Sequence, residues 1–281
     1  MIKSRLTRYT AIKSLLTDRL SIRKDSFDVI DSIDETNDKL TVYYYHSFKG
    51  EHALMFSDYN EASRQYEEAE RLLEYISDEL EHAGYEVKVA SCENTLGTAC
   101  IFLKQFEQAE EHLNRSIDIL QKQNEEKLIL VVRHNLGLLY AMQNLSPLAI
   151  RHLFEVTEKN PNHYKALFLQ AREHYKLQET NIAQELIEKG LKVCDEIGNE
   201  EYVYHFNILR LLNENKSIEL VEGVKKGISY FKKQGLWEFV EEYGELLAVA
   251  FRKLHNHEKV SDYFNVCYEA KQQIISKGAL K

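Results

Sequence analysis

The fold is decided by one stretch of the chain, residues 133–161, which reads RHNLGLLYAMQNLSPLAIRHLFEVTEKNP. Gly137 lies in a first apolar run, and Ala149 follows twelve residues later in a second run. Pro147 suits the first turn of the second run as a helix, and Pro161 suits its end. The stretch therefore predicts two helices that cross closely, at a point where only small side chains fit without leaving a void.

The same spacing of two small residues recurs along the chain. It is seen at Gly50 with Ala62, Gly97 with Ala109, Gly137 with Ala149, and Ala171 with Ala183. The pattern resembles the tetratricopeptide repeat, whose period is about 34 residues. It predicts an all-α, right-handed tetratricopeptide-repeat solenoid of helical hairpins.

The predicted solenoid covers residues 39–276 in six helical pairs, and residues 1–38 form a separate N-terminal extension. The expected pairs are 39–56 with 59–82, 84–103 with 106–122, 126–143 with 146–159, 163–177 with 180–196, 200–213 with 217–234, and 236–254 with 257–276. The last pair should present a polar outer face, since a terminal repeat meets solvent. Lys271, Gln272 and Gln273 suit that face.

Composition and missing motifs exclude several classes of protein. With 2 Pro and 11 Gly in 281 residues, the chain is too poor in turn formers for an all-β protein. No apolar run approaches the roughly 20 residues of a membrane span, and no signal peptide is visible. The four cysteines form no CxxC pair, which favours a reducing cytoplasm. Because nucleotide, zinc-protease and nucleophile-elbow motifs are lacking, we predict no cofactor, no metal and no catalytic residue.

Charge separates the extension from the body. Residues 1–24 carry seven basic and one acidic side chain, a net of +6 in a chain whose total is −9. Apolar residues at steps of three or four predict an amphipathic helix over residues 2–22. This helix could dock on the first repeat, on a partner or on an anionic membrane. The candidate partner-binding residues are Arg5, Arg8, Lys13 and Arg19.

Several short segments resemble the Rap proteins, the response regulator aspartate phosphatases. Residues 43–50 read YYYHSFKG, residues 66–72 read YEEAERL, residues 78–83 read DELEHA and residues 174–177 read HYKL. The resemblance implies that an N-terminal three-helix bundle engages a two-component response regulator, while the solenoid encloses a short signalling peptide. It also implies that some members hydrolyse the aspartyl phosphate of the regulator, whereas others only block DNA binding.

The chain departs from that family pattern in four places. The family has one more repeat between residues 85 and 125 than this chain has. Only about 38 residues precede the repeats, so the bundle is expected to be truncated. Phosphatase members orient the attacking water with a bundle glutamine, but residues 1–64 contain none and Gln65 is the first. Asn37 or a basic side chain would have to substitute, so enzymatic activity stays an open question. Where many members place an acid that faces the peptide, this chain has Phe102.

The resemblance also suggests residues that line a concave groove. Asn135 matches the asparagine that clamps the peptide backbone in the family, although an ordinary helix-packing role stays open. Weaker candidates for peptide binding are Asn94, Gln170, His174 and His205. The expected partners are a short signalling peptide and a response regulator. Nucleic acid is not expected, because the basic extension is too short for a helix-turn-helix domain. The alternatives are a peptide sink or adaptor without catalysis, or a general tetratricopeptide scaffold.

Overall fold

The computed structural model of the chain describes residues 39–55, 58–76, 82–215 and 217–279. These residues form twelve α-helices and no strand. The helices are α1 (Lys39–Met55), α2 (Tyr59–Ile76), α3 (His82–Phe102), α4 (Phe106–Lys122), α5 (Glu126–Met142), α6 (Ser146–Lys159), α7 (Tyr164–Lys176), α8 (Thr180–Ile197), α9 (Glu200–Asn213), α10 (Ser217–Gln234), α11 (Trp237–Lys253) and α12 (His257–Ala279). The prediction of an all-α chain of helical hairpins is confirmed.

Short loops with one shared geometry connect most of these helices. Eight of the described loops contain a residue with positive φ, two places after the preceding helix in most cases. Gly198, with φ of 68°, ends α8 in this way, as glycine commonly does. The other seven are Lys104, Asn124, Asn144, Gln178, Asn215, Gly235 and His255. Because a residue with positive φ reverses the direction of the chain within a short loop, each of these helices folds back on its predecessor.

The chain divides into two compact units, with the boundary between Asn135 and Leu136 inside α5. In the first unit α1 packs on α2, α2 on α3 and α3 on α4, and the first helices α1 and α3 also touch. In the second unit each helix from α6 to α12 packs on the next, and α7 also touches α9. In a stack of helical hairpins, the first helix of one hairpin touches the first helix of the next. The contacts of α1 with α3 and of α7 with α9 are of this kind.

Small residues set the close approach of paired helices, as the sequence pattern predicted. A Cβ added to Gly97 would lie 2.7 Å from the Cγ of Leu113, and one added to Gly137 would lie 2.6 Å from the Cγ of Leu153. The alanines twelve residues after these glycines, Ala109 and Ala149, are fully buried. The two positions therefore fix the crossing points within the α3–α4 and α5–α6 pairs.

Two further features of the fold are the state of the cysteines and the polarity of the helices. Cys92, Cys100, Cys194 and Cys267 are free thiols in buried positions. Within the described ranges, every helix is too short or too polar to cross a bilayer.

Candidate functional site

Two asparagines predicted to bind peptide come together in the first unit. The Nδ2 of Asn135, on α5, donates to the Oδ1 of Asn94 on α3 over 2.9 Å and to the Oγ1 of Thr98 over 3.1 Å. Thr98 lies one turn after Asn94 and donates its hydroxyl to the Asn94 carbonyl over 2.8 Å. All three side chains are half-buried. We call this group the asparagine cluster; it joins the first helices of two successive hairpins.

The asparagine cluster keeps unused hydrogen-bonding capacity. An asparagine offers one acceptor oxygen and two N–H donors. Within the part of the chain that the structure describes, the Oδ1 of Asn135 and the Nδ2 of Asn94 form no hydrogen bond. An acceptor and a donor therefore stand side by side at partly exposed positions. This is the pair of groups that an extended peptide backbone needs when its own N–H and C=O leave water.

A buried ion cluster anchors α3, the helix that carries Asn94. The Glu93 carboxylate is fully buried and lies 2.7 Å from the Nδ1 of His112 and 2.7 Å from the Nη1 of Arg115, both on α4. The hydrogen bond to Glu93 raises the pKa of His112. Burial, and then the charge of Glu93, raise the pKa of Glu70 on α2. Since a buried carboxylate needs such partners, the cluster fixes the orientation of α3 on α4.

The structure places the three other candidates, Gln170, His174 and His205, inside the second unit, where they are at most 9% exposed. The Oε1 of Gln170 lies 3.1 Å from the Thr157 hydroxyl, and the Nδ1 of His174 lies 2.5 Å from the Oε2 of Glu179. These side chains hold helices together in this conformation, so a peptide at the surface would not meet them without rearrangement.

His205 is the most enclosed of the three. Its Nδ1 lies 2.6 Å from the Tyr243 hydroxyl, and aromatic rings from α7, α10 and α11 surround it. Burial, and then the positive charge of Arg172, lower the pKa of His205 to about 3. The imidazole is therefore neutral at physiological pH and acts as a packing group with one polar contact.

Gln65 and the N-terminal candidates bear on catalysis. Gln65 is 5% exposed, and its amide oxygen accepts from the Nδ1 of His46 over 2.7 Å while its nitrogen donates to Glu61 over 2.9 Å. Both ends of the amide are thus occupied. Asn37 and the four basic candidates Arg5, Arg8, Lys13 and Arg19 lie outside the described residues.

Comparison with known proteins relates this architecture to a family. Residues 88–162, which run from α3 to the loop after α6, match the tetratricopeptide repeat family. Regulatory protein RapF of Bacillus subtilis (strain 168) is 22% identical over 294 residues, covering 89% of this chain and 76% of RapF. Response regulator aspartate phosphatase I of the same organism is 24% identical over 278 residues, covering 85% of this chain and 70% of that protein. The chain is similar to Rap proteins over most of its length.

A solved Rap structure supports the fold. The Rap conjugation gene regulator of the plasmid pLS20, in complex with the Phr* peptide, superimposes with a TM-score of 0.77 at 16% identity. The superposition covers 98% of this chain and 72% of that one. At this identity the likeness establishes the architecture, an all-α tetratricopeptide-like solenoid, and the fold class predicted from sequence is confirmed.

Two residues of this chain gain a structural role that the sequence did not assign. Thr98 completes the asparagine cluster, and its position four residues after Asn94 on a predicted helix was the available signal. Phe102, at the end of α3, stacks on Tyr59 with ring centroids 4.4 Å apart and planes inclined by 8°. An aromatic contact therefore stands where many relatives are expected to carry an acid.

Proposed function

We propose that this chain is a cytoplasmic, peptide-responsive regulator of a two-component response regulator. The similarity to Rap proteins and the stacked hairpin fold support the proposal. The names of the relatives support both halves of it, since one is a response regulator aspartate phosphatase and a solved neighbour holds the Phr* peptide. In this chain the proposed ligand is a short signalling peptide, and the proposed partner is a receiver domain.

The asparagine cluster is the observation that carries the proposal. It offers an open acceptor on Asn135 and an open donor on Asn94, on adjacent first helices. A peptide bound there would satisfy its backbone without relying on its side chains. Because the cluster ties α5 to α3, peptide binding at Asn135 would also change the contact between two successive hairpins. This coupling is how occupation of the repeats could alter the affinity for a partner.

Hydrolysis is a separate part of the proposal. An aspartyl phosphate is attacked in line by water, and a helper protein contributes chiefly by positioning that water. A neutral amide suits this task, since it donates and accepts hydrogen bonds. Gln65 is the first glutamine of the chain, and both ends of its amide are bonded internally. We therefore propose regulation mainly by binding, with dephosphorylation as the activity to be tested.

The test is a pull-down against purified receiver domains, with and without a pool of short synthetic peptides. Retention of at least one receiver domain, and its release or recruitment by peptides, supports the proposal. A phosphate-release assay with labelled phospho-regulators then decides on catalysis. Release well above the spontaneous decay would show a phosphatase and would direct mutagenesis first to Asn37.

The second candidate is an adaptor or peptide sink without action on a regulator. The bonding of Gln65 favours this candidate. Both ends of its amide are bonded within the protein, so the amide does not serve to orient a water molecule on a phosphorylated regulator. This candidate predicts peptide binding to the asparagine cluster but no retention of any receiver domain. The same pull-down separates the two functions, since the peptide and the receiver domain are measured independently.

A further inference from the structure

Helix α7, in the second unit, carries an arginine whose guanidinium is poorly satisfied. The Arg172 side chain is 26% exposed, and its Nε is buried without a hydrogen-bond partner. Among the described residues, the carboxylate that pairs with it belongs to Glu173, whose Oε1 lies 3.6 Å from this Nε. That separation is too long for a hydrogen bond. The N–H donors of the two terminal nitrogens therefore stay unused in the part of the chain that the structure describes.

Glu173 does not neutralise Arg172 fully, because it serves two other partners. The Glu173 side chain is completely buried, and its Oε2 accepts from the Ser146 hydroxyl over 2.7 Å. Its Oε1 lies 2.8 Å from the ammonium nitrogen of Lys176. One negative charge thus faces two positive charges, which leaves one positive charge in excess within this group. A partly buried charge in excess attracts an anion more strongly than a charge in open solvent does.

Neutral aromatic rings lie beside this guanidinium. The Cζ of Arg172 is 5.9 Å from the ring centroid of Phe168, which lies one turn earlier on α7. Phe168 in turn contacts Tyr202 and His205 on α9, with ring centroids 5.8 Å and 5.3 Å away. The Nε2 of His205 is buried and has no hydrogen-bond partner among the described residues. Since the His205 imidazole is neutral, these rings add apolar surface and bring no negative charge to Arg172.

We propose that Arg172 and the rings beside it form a binding site for a carboxylate group. A planar guanidinium presents paired N–H donors that match the two oxygens of a carboxylate. The apolar group that carries the carboxylate packs on Phe168 and Tyr202, which are both half-buried. The identity of the ligand rests on the proposed function. A signalling peptide carries one carboxylate at its C-terminus, and it carries others wherever it contains Asp or Glu.

Calorimetric titration of the full chain with hippurate tests the site without a peptide. Hippurate joins a carboxylate to a phenyl ring, and hippuramide is its neutral amide. The wild type should bind hippurate about tenfold more tightly than hippuramide. Arg172→Gln should remove this preference, and Arg172→Lys, which keeps the charge, should retain part of it. Arg151→Gln, at an exposed arginine of α6, is the matched control and should behave as the wild type does. Equal binding of the two probes, no hippurate binding at about 20 mM, or a preference that survives in Arg172→Gln overturns the proposal.

Pools of synthetic pentapeptides identify the source of the carboxylate. The first pool lacks Asp and Glu and is tested with a free C-terminus and with a C-terminal amide; the second is amidated and contains Asp or Glu. If the site holds the C-terminus, amidation of the first pool should weaken binding about tenfold for the wild type but not for Arg172→Gln. If the site holds an acidic side chain, the second pool should bind the wild type more tightly than Arg172→Gln. Equal binding of every pool by both proteins contradicts the carboxylate site. A hippurate preference without binding of any peptide supports the site and contradicts the proposed function.

Discussion

Asn135 on α5 and Asn94 on α3 share one hydrogen bond of 2.9 Å, which uses the donor of the first and the acceptor of the second. The remaining acceptor of Asn135 and the remaining donors of Asn94 stay open among the described residues. This hydrogen bond therefore joins two successive hairpins. It also leaves one acceptor and one donor available for the C=O and N–H groups of a bound peptide. The proposed function depends on this relationship, because it places ligand binding and a helix–helix contact in the same side chains.

Removal of the Asn135 amide should weaken peptide binding while leaving the fold intact. Asn135→Ala leaves a peptide backbone group unpaired, which costs about 1–3 kcal/mol and corresponds to a ten- to hundredfold weaker complex. Isothermal titration calorimetry with a binding peptide measures this, and circular dichroism checks the fold. Asn114→Ala, at an exposed asparagine of α4, is the control and should bind as the wild type does. Equal affinities of both variants would remove Asn135 from the site.

A single methyl group at Gly137 should destabilise the α5–α6 pair. The new Cβ would lie 2.6 Å from the Cγ of Leu153, so Gly137→Ala should cost about 1–3 kcal/mol of unfolding free energy. Amide hydrogen exchange should show reduced protection in α6 and in the adjacent α7. Gly84→Ala is the matched control, because nothing lies within 4 Å of its added Cβ. Unchanged protection in α6 for Gly137→Ala would contradict the packing register.

Replacement of a non-glycine residue in the left-handed region should stabilise the protein. Lys104 has φ of 61° in the loop between α3 and α4, a conformation that disfavours residues with a Cβ. Lys104→Gly should therefore raise the free energy of unfolding by about 0.5–1 kcal/mol, as measured by urea denaturation. Glu111→Gly, within α4, carries the same kind of change and should instead cost about 1 kcal/mol. Destabilisation by both variants would show that the loop carries no strain.

His205 should make the second unit sensitive to acid. Its native pKa of about 3 lies below the ordinary value of about 6.5, so the unfolded chain takes up a proton first as the pH falls. The stability that the neutral imidazole contributes is therefore complete above pH 6.5 and is lost between pH 6.5 and 3. Arg172 on α7 is the charged group that adds to the shift, and Tyr243 on α11 is the polar partner.

The variant His205→Phe isolates that contribution. At pH 7 it should be less stable than the wild type by about 1–3 kcal/mol, because the Tyr243 hydroxyl loses its partner. At pH 4.5 the difference should shrink, since the variant has no proton to gain at this position. Urea unfolding at both pH values measures the change. A constant gap between His205→Phe and the wild type at the two pH values would contradict the burial argument.

The fold followed from sequence because small residues at fixed spacing determine how closely two helices cross. Gly97 and Gly137 each meet a leucine sixteen residues later, so a local pattern contained the contact. Most predicted helix ends coincide with the observed ends or lie within three residues of them. For α2, residues 77–81 of the expected helix lie outside the described residues.

The site was harder to predict, because a first helix touches neighbours on several sides. Polar residues on such a helix look alike in sequence, whether they face a groove or another helix. Asn94 and Asn135 meet across 41 residues, and His205 meets Tyr243 across 38, so no local spacing distinguishes an open pair from a buried one. The sequence therefore indicated five candidate residues, and the structure separates the two in the asparagine cluster from the three that are buried.

The most direct test of the account is the affinity for a receiver domain, measured with and without a saturating peptide. If the chain is a peptide-responsive regulator, the peptide changes this affinity by tenfold or more, and the receiver domain changes peptide affinity by the same factor. The Asn135→Ala variant should bind the receiver domain as the wild type does and should require more peptide for the same response. A receiver affinity that does not depend on the peptide, or the lack of any binding receiver domain, would contradict the account.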